Sequence, residues 1–298
     1  MDELFEEHRA YLKSVAYRML GSTTDAEDAV QEAWLRLHRS DTSGIENLRA
    51  WLRTVVSRVC LDMLRSRKVR REDPMDADAP EPPAPRAIDP EQDALMADAV
   101  GLALLVVLET LAPAERLAFV LHDLFGVPFE EIGAIMGRSP GAARQLASRA
   151  RRRVRGAEPD PGGERDDRRE TMKAFLAALQ AGDVAAVIAL LDPDLVVHAD
   201  AASAGGEAKE IRGAANWASQ AVVFARAAKA FEGPARSVEA AMVDGLPGLI
   251  LAPGGHLRRA LRFTFAGARI AAIDVIGDPD RLRALEIAVL DLDEIRPS

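Results

Sequence analysis

The chain has 298 residues, of which 48% are hydrophobic and 29% charged, a composition typical of a folded protein with roughly two or three domains. No apolar run approaches the roughly 20 residues needed to cross a bilayer, and the acidic N-terminus lacks the layout of a signal peptide. The single cysteine, Cys60, excludes an intramolecular disulfide and a zinc site built from cysteines. We therefore expect a cytoplasmic protein.

The net charge of −9 conceals two strongly basic segments. Residues 49–71 contain eight basic side chains and one acid, and residues 138–155 contain seven arginines and no acid. Each segment has a charge of +7, so the rest of the chain sums to −23. Local basic surfaces on an acidic chain predict contact with nucleic-acid phosphates. The alternative is a pair of ordinary solvated helix faces, but opposite charge is almost absent from both segments.

Two segments have the composition of interdomain linkers, because they are rich in proline, glycine or acidic residues. They lie at 72–90 and 157–167. These linkers divide the chain into predicted domains at 1–71, 91–156 and 168–291. We find no internal repeat.

The first domain is predicted to be helical. Thr24 and Glu27 have the spacing of a capping box ahead of a helix over 25–38. A second helix is predicted over about 48–66 because apolar residues recur there at helical spacing. The members of this stripe are Leu48, Leu52, Val55, Val59 and Met63.

The middle domain has the turn chemistry of a helix-turn-helix. Prolines begin and glycines end two successive helices, at Pro113 to Gly126 and Pro128 to Gly137. Ser139 then caps a basic helix with Pro140 at its first position. We predict that its outward face, with the residues before it, contacts bases and phosphates in a major groove. These residues are Arg138, Ser139, Gly141, Arg144, Gln145, Ser148, Arg149 and Arg152. The alternative is a helical hairpin with a basic solvent face.

Three segments resemble the extracytoplasmic-function (ECF) sigma factors, the promoter-recognition subunits of bacterial RNA polymerase. DAEDAVQEAWLRLHR at 25–39 is similar to sigma region 2.2, and the basic segment 48–71 is similar to regions 2.3 and 2.4. Residues 111–155 are similar to region 4, where RQLASRARRR at 144–153 is particularly specific. The resemblance implies two all-α sigma domains, a region 2 helical bundle and a region 4 helix-turn-helix, and a function in transcription initiation.

The resemblance also implies contacts with core RNA polymerase. Region 2.2 binds the clamp helices of the largest polymerase subunit in this family, and region 4 binds the flap of the second largest. The candidate contact face on this chain consists of Asp25, Asp28, Gln31, Glu32 and Leu35. An acidic capped helix suits a basic coiled coil, while a plain solvated face is the alternative.

Regions 2.3 and 2.4 open the minus-ten element in this family and hold its non-template bases, while region 4 binds the minus-thirty-five element. The basic residues that match are Arg49, Arg53, Arg58, Arg65, Arg67, Lys68, Arg70 and Arg71. Asn47 and Trp51 lie near the position where the family captures a flipped base, and an amide or an indole can hydrogen-bond or stack there. Trp51 is equally compatible with a place in the core.

The third domain is predicted to be α+β. Helical patterns at 171–181 and 184–191 precede a strand at 195–200, a long helix at 214–231 and a run of strand signals. The predicted sheet is antiparallel and strongly bent, forming a cone with the helices. This layout resembles the SnoaL-like domain that one subgroup of ECF sigma factors has at its C-terminus. The resemblance implies a regulatory domain that docks on the sigma domains and replaces a separate anti-sigma factor.

Three short stretches resemble signature motifs of that subgroup, with substitutions in each. We predict that they make regulatory contacts. The residues concerned are Pro80, Glu81 and Pro82 in the first linker, Asp200, and Asp278, Pro279, Asp280, Arg281 and Leu282. The alternative for the last motif is a helix start, with Asp278 as the cap.

Catalysis is a weaker hypothesis for the third domain. His198 and Asp200 are predicted on one face of a strand, and related folds use acidic residues as general bases. No second acid or tyrosine is evident to stabilise an oxyanion, and the histidines lack metal-ligand spacing. We therefore expect no enzyme activity, no cofactor and no metal site. A one-component helix-turn-helix regulator with a small-molecule sensor is the main alternative, but it gives residues 25–71 no role.

Overall fold

The computed structural model describes residues 2–40, 45–72, 101–156, 164–232 and 238–290. Two helical regions precede an α+β domain, as the sequence predicts. The linker residues Pro80, Glu81 and Pro82 lie outside the described ranges. No helix in these ranges is both long enough and apolar enough to span a bilayer.

The helical part consists of α1 (Asp2–Leu20), α2 (Thr23–Arg39), α3 (Leu48–Glu72), α4 (Leu102–Thr110), α5 (Pro113–Phe119), a π-helical turn (Val120–Leu124), α6 (Phe129–Met136) and α7 (Pro140–Arg155). Two predictions need correction. The cap of α2 is Ser22 rather than Thr24, since the Ser22 side chain accepts a hydrogen bond from the Asp25 N–H at 3.3 Å. Val56 rather than Val55 is fully buried in α3, and α3 extends beyond the predicted end at residue 66.

The described residues form two compact units. The first contains 2–40, 45–72 and 108–152. The second contains 101–107, 153–156, 164–232 and 238–290. The first residues of α4 therefore belong to the unit formed by the C-terminal domain, although they directly precede the helix-turn-helix in sequence.

The C-terminal domain consists of α8 (Glu164–Ala181), α9 (Val184–Leu190), β1 (Leu191–Ala199), α10 (Ala201–Ala204), β2 (Lys209–Arg212), α11 (Ala214–Glu232), β3 (Val238–Val243), β4 (Leu246–Leu251), a 3-10 turn (Pro253–Gly255), β5 (Arg259–Ala266), β6 (Arg269–Ile276), α12 (Pro279–Ala284) and β7 (Ile287–Val289). The described strands form one sheet in the order β2-β1-β6-β5-β4-β3-β7. The prediction of an antiparallel sheet is wrong for one pair, because β1 and β6 are parallel. The strands β2 and β7 were not predicted.

Helices α8, α9 and α11 cover one face of this sheet and form its core. Phe175 is central to the described part of that core. Its ring stacks on Trp217 at 6.0 Å and meets Phe263 edge-on at 5.4 Å. Aromatic side chains thus fill the space between the helices and the centre of the sheet.

Candidate nucleic-acid interface

The helix-turn-helix is formed by α6 and α7, and two glycines shape its turn. Gly137 ends α6 in the left-handed conformation, with φ of 66°, which favours glycine. A Cβ on Gly133 would lie 2.7 Å from the Arg138 carbonyl oxygen, so only glycine lets the turn approach α6 this closely. The Ser139 hydroxyl then accepts a hydrogen bond from the Ala142 N–H at 3.2 Å and caps α7. These contacts fix where the basic helix begins.

Helix α7 has one buried and one exposed face. Its buried residues are Ala143, Leu146, Ala147, Ala150 and Val154. All eight residues predicted to contact DNA in this region are exposed: Arg138, Ser139, Gly141, Arg144, Gln145, Ser148, Arg149 and Arg152. The structure therefore brings the predicted set together on one accessible surface, which we call the α7 face.

Neighbouring side chains orient the arginines of α7. The Arg144 guanidinium lies 5.3 Å from the centre of the Phe129 ring. Arg151, which is not on the α7 face, pairs with Asp123 at 2.8 Å and ties α7 to the π-helical turn. Arg149 lies 4.0 Å from Glu115, a distance that leaves its donors available for a stronger acceptor. The α7 face can thus present arginine forks to guanine edges or phosphates.

At the start of α3, Asn47 has a structural role in addition to its predicted role in binding a base. The Asn47 side chain accepts a hydrogen bond from the Ala50 N–H at 3.0 Å and caps the helix. Trp51 is half-buried in the first turn of α3. A structural role for Asn47 is therefore present before any base is bound.

Several predicted DNA-binding arginines of α3 have partners within the protein. Arg49 lies over the Tyr11 ring at 4.2 Å, Arg65 lies 3.7 Å from Asp62, and Arg67 pairs with Asp25. Two further arginines contact α6, where Arg53 pairs with Glu131 and Arg58 donates to main-chain carbonyls. The helix continues through Lys68, Arg70 and Arg71. Unlike the α7 face, much of the α3 basic surface is engaged.

The predicted polymerase-binding residues lie along α2 in different environments. Asp28 and Gln31 are exposed, whereas Asp25, Glu32 and Leu35 are half-buried. A cavity of about 360 Å³ lies between α2 and α3, and its lining includes Asp25, Arg36 and Arg67. Asp25 therefore faces α3 as well as the surface predicted to bind polymerase.

In the C-terminal domain, the structure brings together two of the signature motifs. The Asp200 carboxylate accepts hydrogen bonds from the N–H groups of Gly277 and Asp278 at 3.0 Å and of Ser203 at 2.9 Å. The contact with the Ser203 N–H caps α10. The Arg281 guanidinium also donates to the Asp200 carboxylate, at 3.3 Å. Burial alone would raise the pKa of the Asp200 carboxyl, but these hydrogen bonds lower it to about 2.

The second signature motif also begins a helix. Asp278 accepts hydrogen bonds from the N–H groups of Asp280 and Arg281, with Pro279 at the first helical position. Leu282 follows in the same helix, α12. The alternative given for this motif, a capped helix start, is thus correct, and Asp200 fixes the turn that precedes it.

The hypothesis of a catalytic pair on one strand face is wrong in its geometry. Asp200 follows the end of β1 at Ala199 and caps α10. His198 is exposed, and its Nδ1 lies 3.6 Å from the Glu210 carboxylate on the neighbouring strand. The Asp200 carboxylate is occupied by N–H donors and has a low pKa, which does not suit a general base at neutral pH.

Two residues make long-range contacts that the sequence does not predict. Arg116 is only 4% exposed and donates hydrogen bonds to the carbonyls of Leu108 at 2.5 Å and Met19 at 2.7 Å. Glu239 on β3 accepts a hydrogen bond from the Leu102 N–H at 2.5 Å and a weaker one from Ala103 at 3.4 Å. The only local signals of these two contacts are the position of an arginine in an apolar helix and that of an acid in an apolar strand.

Both helical regions match models of known protein families. Residues 4–70 match the family model "Sigma-70 region 2", and residues 101–154 match "Sigma-70, region 4". The ECF RNA polymerase sigma factor SigJ of Mycobacterium tuberculosis is 47% identical over 204 residues, which cover 66% of this chain and 64% of that relative. The probable ECF RNA polymerase sigma factor SigI of the same species is 41% identical over 196 residues, covering 65% of this chain and 68% of that relative.

Among solved structures, the crystal structure of M. tuberculosis SigJ aligns over 95% of this chain and 98% of its own. The sequence identity is 34% and the TM-score is 0.45. The family assignment rests on the order of the two matched sigma regions and on the 41% identity to SigI over 68% of its length. This chain belongs to the family of ECF RNA polymerase sigma factors.

Proposed function

We propose that this protein directs core RNA polymerase to promoters, with α7 binding the minus-thirty-five element and α3 the minus-ten element. Its partners are core polymerase, through the clamp helices of the largest subunit and the flap of the second largest, and promoter DNA. The protein acts in the cytoplasm. The main supporting observation is the α7 face, where eight predicted DNA-binding residues are exposed together on a helix-turn-helix.

The charges explain why such a protein needs polymerase. Duplex affinity rises with the number of phosphates neutralised, and the salt dependence has a slope of about −0.9 per contact. A single basic helix on a chain of net charge −9 makes few such contacts. Polymerase holds two DNA-binding regions at a fixed separation, which raises the effective concentration of the second once the first has bound.

The C-terminal domain is proposed to regulate this activity by docking on the sigma domains. It is acidic, with 22 acidic and 16 basic residues from 158 to 298. Glu239 of this domain caps the N-terminus of α4, the helix with which the match to region 4 begins. A Cβ on Gly255 would lie 3.0 Å from the Leu105 Cβ, so α4 also packs closely against this domain. Both contacts support a role for region 4 in the docking.

A regulatory role without catalysis fits the chemistry of the described residues. The core below the sheet is occupied by Phe175, Trp217 and Phe263. Asp200, the acid of the signature motif, is committed to N–H groups and to Arg281. We therefore propose that the domain acts through contacts with the sigma domains, without a cofactor.

Run-off transcription on bacterial genomic fragments tests the proposal. Core polymerase with this protein is expected to give discrete transcripts that core polymerase alone does not give. A one-component regulator would bind duplex DNA equally well without polymerase and would not enable core polymerase to initiate. A gel shift with the same fragments, with and without polymerase, therefore separates the two functions. Tight specific binding without polymerase, together with no transcript, would overturn the proposal.

A further inference from the structure

The first compact unit contains a direct interface between region 2 and region 4. Two arginines of α3 contact α6, the first helix of the helix-turn-helix. The Arg53 guanidinium pairs with the Glu131 carboxylate. Arg58 donates to the main-chain oxygens of Ile135 at 3.3 Å and Ala134 at 3.2 Å, at the C-terminal end of α6. A cation at this end of a helix also interacts favourably with the helix dipole.

A second set of contacts joins the same two regions through α1. The buried guanidinium of Arg116, on α5, donates to the Met19 carbonyl in the last turn of α1 at 2.7 Å. Tyr11 on α1 meets Phe125 edge-on at 5.5 Å. The Arg18 guanidinium lies 5.4 Å from the centre of the same phenyl ring. Charged, aromatic and main-chain groups from both regions thus form one continuous interface.

The two predicted DNA-binding surfaces differ sharply in this arrangement. The α7 face is exposed, whereas the Arg53 side chain is only 13% exposed and is held by Glu131. We infer that the free protein is closed by an arginine latch, consisting of Arg53, Arg58 and Arg116 with their partners. In the closed state the α7 face is available to duplex DNA, while Arg53 is withheld from DNA and the exposed Arg58 is held by the carbonyls of α6.

The latch predicts an order of events in initiation. Region 4 is ready to bind before region 2, and Arg53 of α3 becomes available to the non-template strand only when α6 leaves it. The DNA part of this inference rests on the proposed function, but the closed state does not. The Glu131 side chain is 45% exposed, and an ion pair with one exposed partner contributes about 1 kcal/mol. One substitution at Glu131 can therefore release the Arg53 side chain.

A distance measurement on the full-length protein tests the latch. Dyes are attached to cysteines placed at Ala10 on α1 and Ala112 before α5, two exposed positions in region 2 and region 4. Burial raises the pKa of the Cys60 thiol to about 12, so the native cysteine does not compete for the label. Single-molecule energy transfer then reports the separation of the two regions in the free protein.

The test variant is Glu131→Lys, and Glu130→Lys is its control. Both glutamates are exposed neighbours on α6, and both changes add the same charge, but Glu131 is the partner of Arg53. Glu131→Lys is expected to raise the ratio of open to closed molecules at least about threefold, because it replaces an attraction by a repulsion. Glu130→Lys is expected to leave the ratio unchanged. Circular dichroism checks that both variants fold.

A second measurement uses a labelled single-stranded oligonucleotide at fixed salt. Glu131→Lys is expected to bind it at least about threefold more tightly than Glu130→Lys, because only the former releases Arg53. Equal energy-transfer distributions for the two variants and the unchanged protein would overturn the latch. A changed distribution without a gain in strand binding would leave the closed state standing and would overturn the role given to α3, together with that part of the proposed function.

Discussion

Arg67 and Asp25 form an ion pair between a residue predicted to bind DNA and one predicted to bind polymerase. Arg67 also donates to the Leu20 carbonyl at 3.2 Å, at the end of α1. The pair thus joins α3 to α2 and to the end of α1. A change at either residue is expected to affect the shape of region 2 as well as its contacts.

Arg67→Ala is expected to destabilise the folded chain by about 1 kcal/mol, because it removes a half-exposed ion pair and a main-chain contact. Thermal unfolding measures this loss. Arg65→Ala, one turn away, is the control, since Arg65 is more exposed and its contact with Asp62 is longer, at 3.7 Å. Equal melting temperatures for the two variants would show that Arg67 has no structural role.

Arg144→Ala and Arg149→Ala are each expected to weaken initiation at a mapped promoter by about 1–3 kcal/mol in binding free energy and to relax base preference in the minus-thirty-five element. Run-off transcription on promoters with single substitutions measures both effects. Arg269→Ala, which removes an exposed cation from the C-terminal domain, is the control. An unaltered base preference in both α7 variants would contradict direct contact with bases.

Asp200→Asn is expected to destabilise the C-terminal domain by about 2 kcal/mol at neutral pH, since hydrogen bonds lower the pKa of the Asp200 carboxyl from its ordinary range to about 2. A carboxyl with a lowered pKa stabilises the fold above its unfolded pKa and loses that contribution as pH falls. The difference between the two proteins should therefore shrink from pH 4 to pH 2. Urea unfolding followed by Trp217 fluorescence, with Trp34 and Trp51 replaced by Phe, measures it.

The control for that experiment is Asp194→Asn, because Asp194 is an exposed acid on the same strand, β1. The urea midpoint of Asp194→Asn is expected to equal that of the unchanged protein at every pH. A stability difference for Asp200→Asn that stays constant down to pH 2 would show that the charge of Asp200 is not what holds the turn at Gly277.

Glu239→Ala is expected to loosen the start of α4, because the N–H groups of Leu102 and Ala103 lose their acceptor. Loss of a helix cap costs about 1 kcal/mol. Hydrogen exchange of the full-length protein should rise about fivefold in peptides covering 101–107 and stay unchanged in peptides from α6 and α7. Glu207→Ala is the control. Equal hydrogen exchange in the two variants would show that Glu239 does not contribute to the docking.

The local features of the site were predictable from the sequence. Gly137, Ser139 and Pro140 mark a turn and a helix start by themselves, and the spacing of Ala143, Leu146 and Ala150 then fixes which face of α7 is exposed. The fold class was predictable for the same reason, because long periodic segments dominate both helical regions and the main strands.

The long-range features were not predictable. Arg116 reaches Met19 across 97 residues, and Glu239 reaches Leu102 across 137 residues. No local pattern distinguishes these side chains from solvated ones. The strands β2 and β7 span four and three residues, too few for a period to emerge, and only pairing with β1 and β3 defines them. The parallel pairing of β1 with β6 is likewise set by the chain's path rather than by local sequence.

We propose that two DNA-binding surfaces, on α3 and α7, act together when polymerase holds them. Sequencing of RNA 5′ ends made on genomic fragments by core polymerase and the full-length protein tests it most directly. The expected result is a set of start sites that share two upstream motifs at a fixed separation, with the distal motif alone relaxed by Arg144→Ala. Start sites identical to those of core polymerase alone would contradict it.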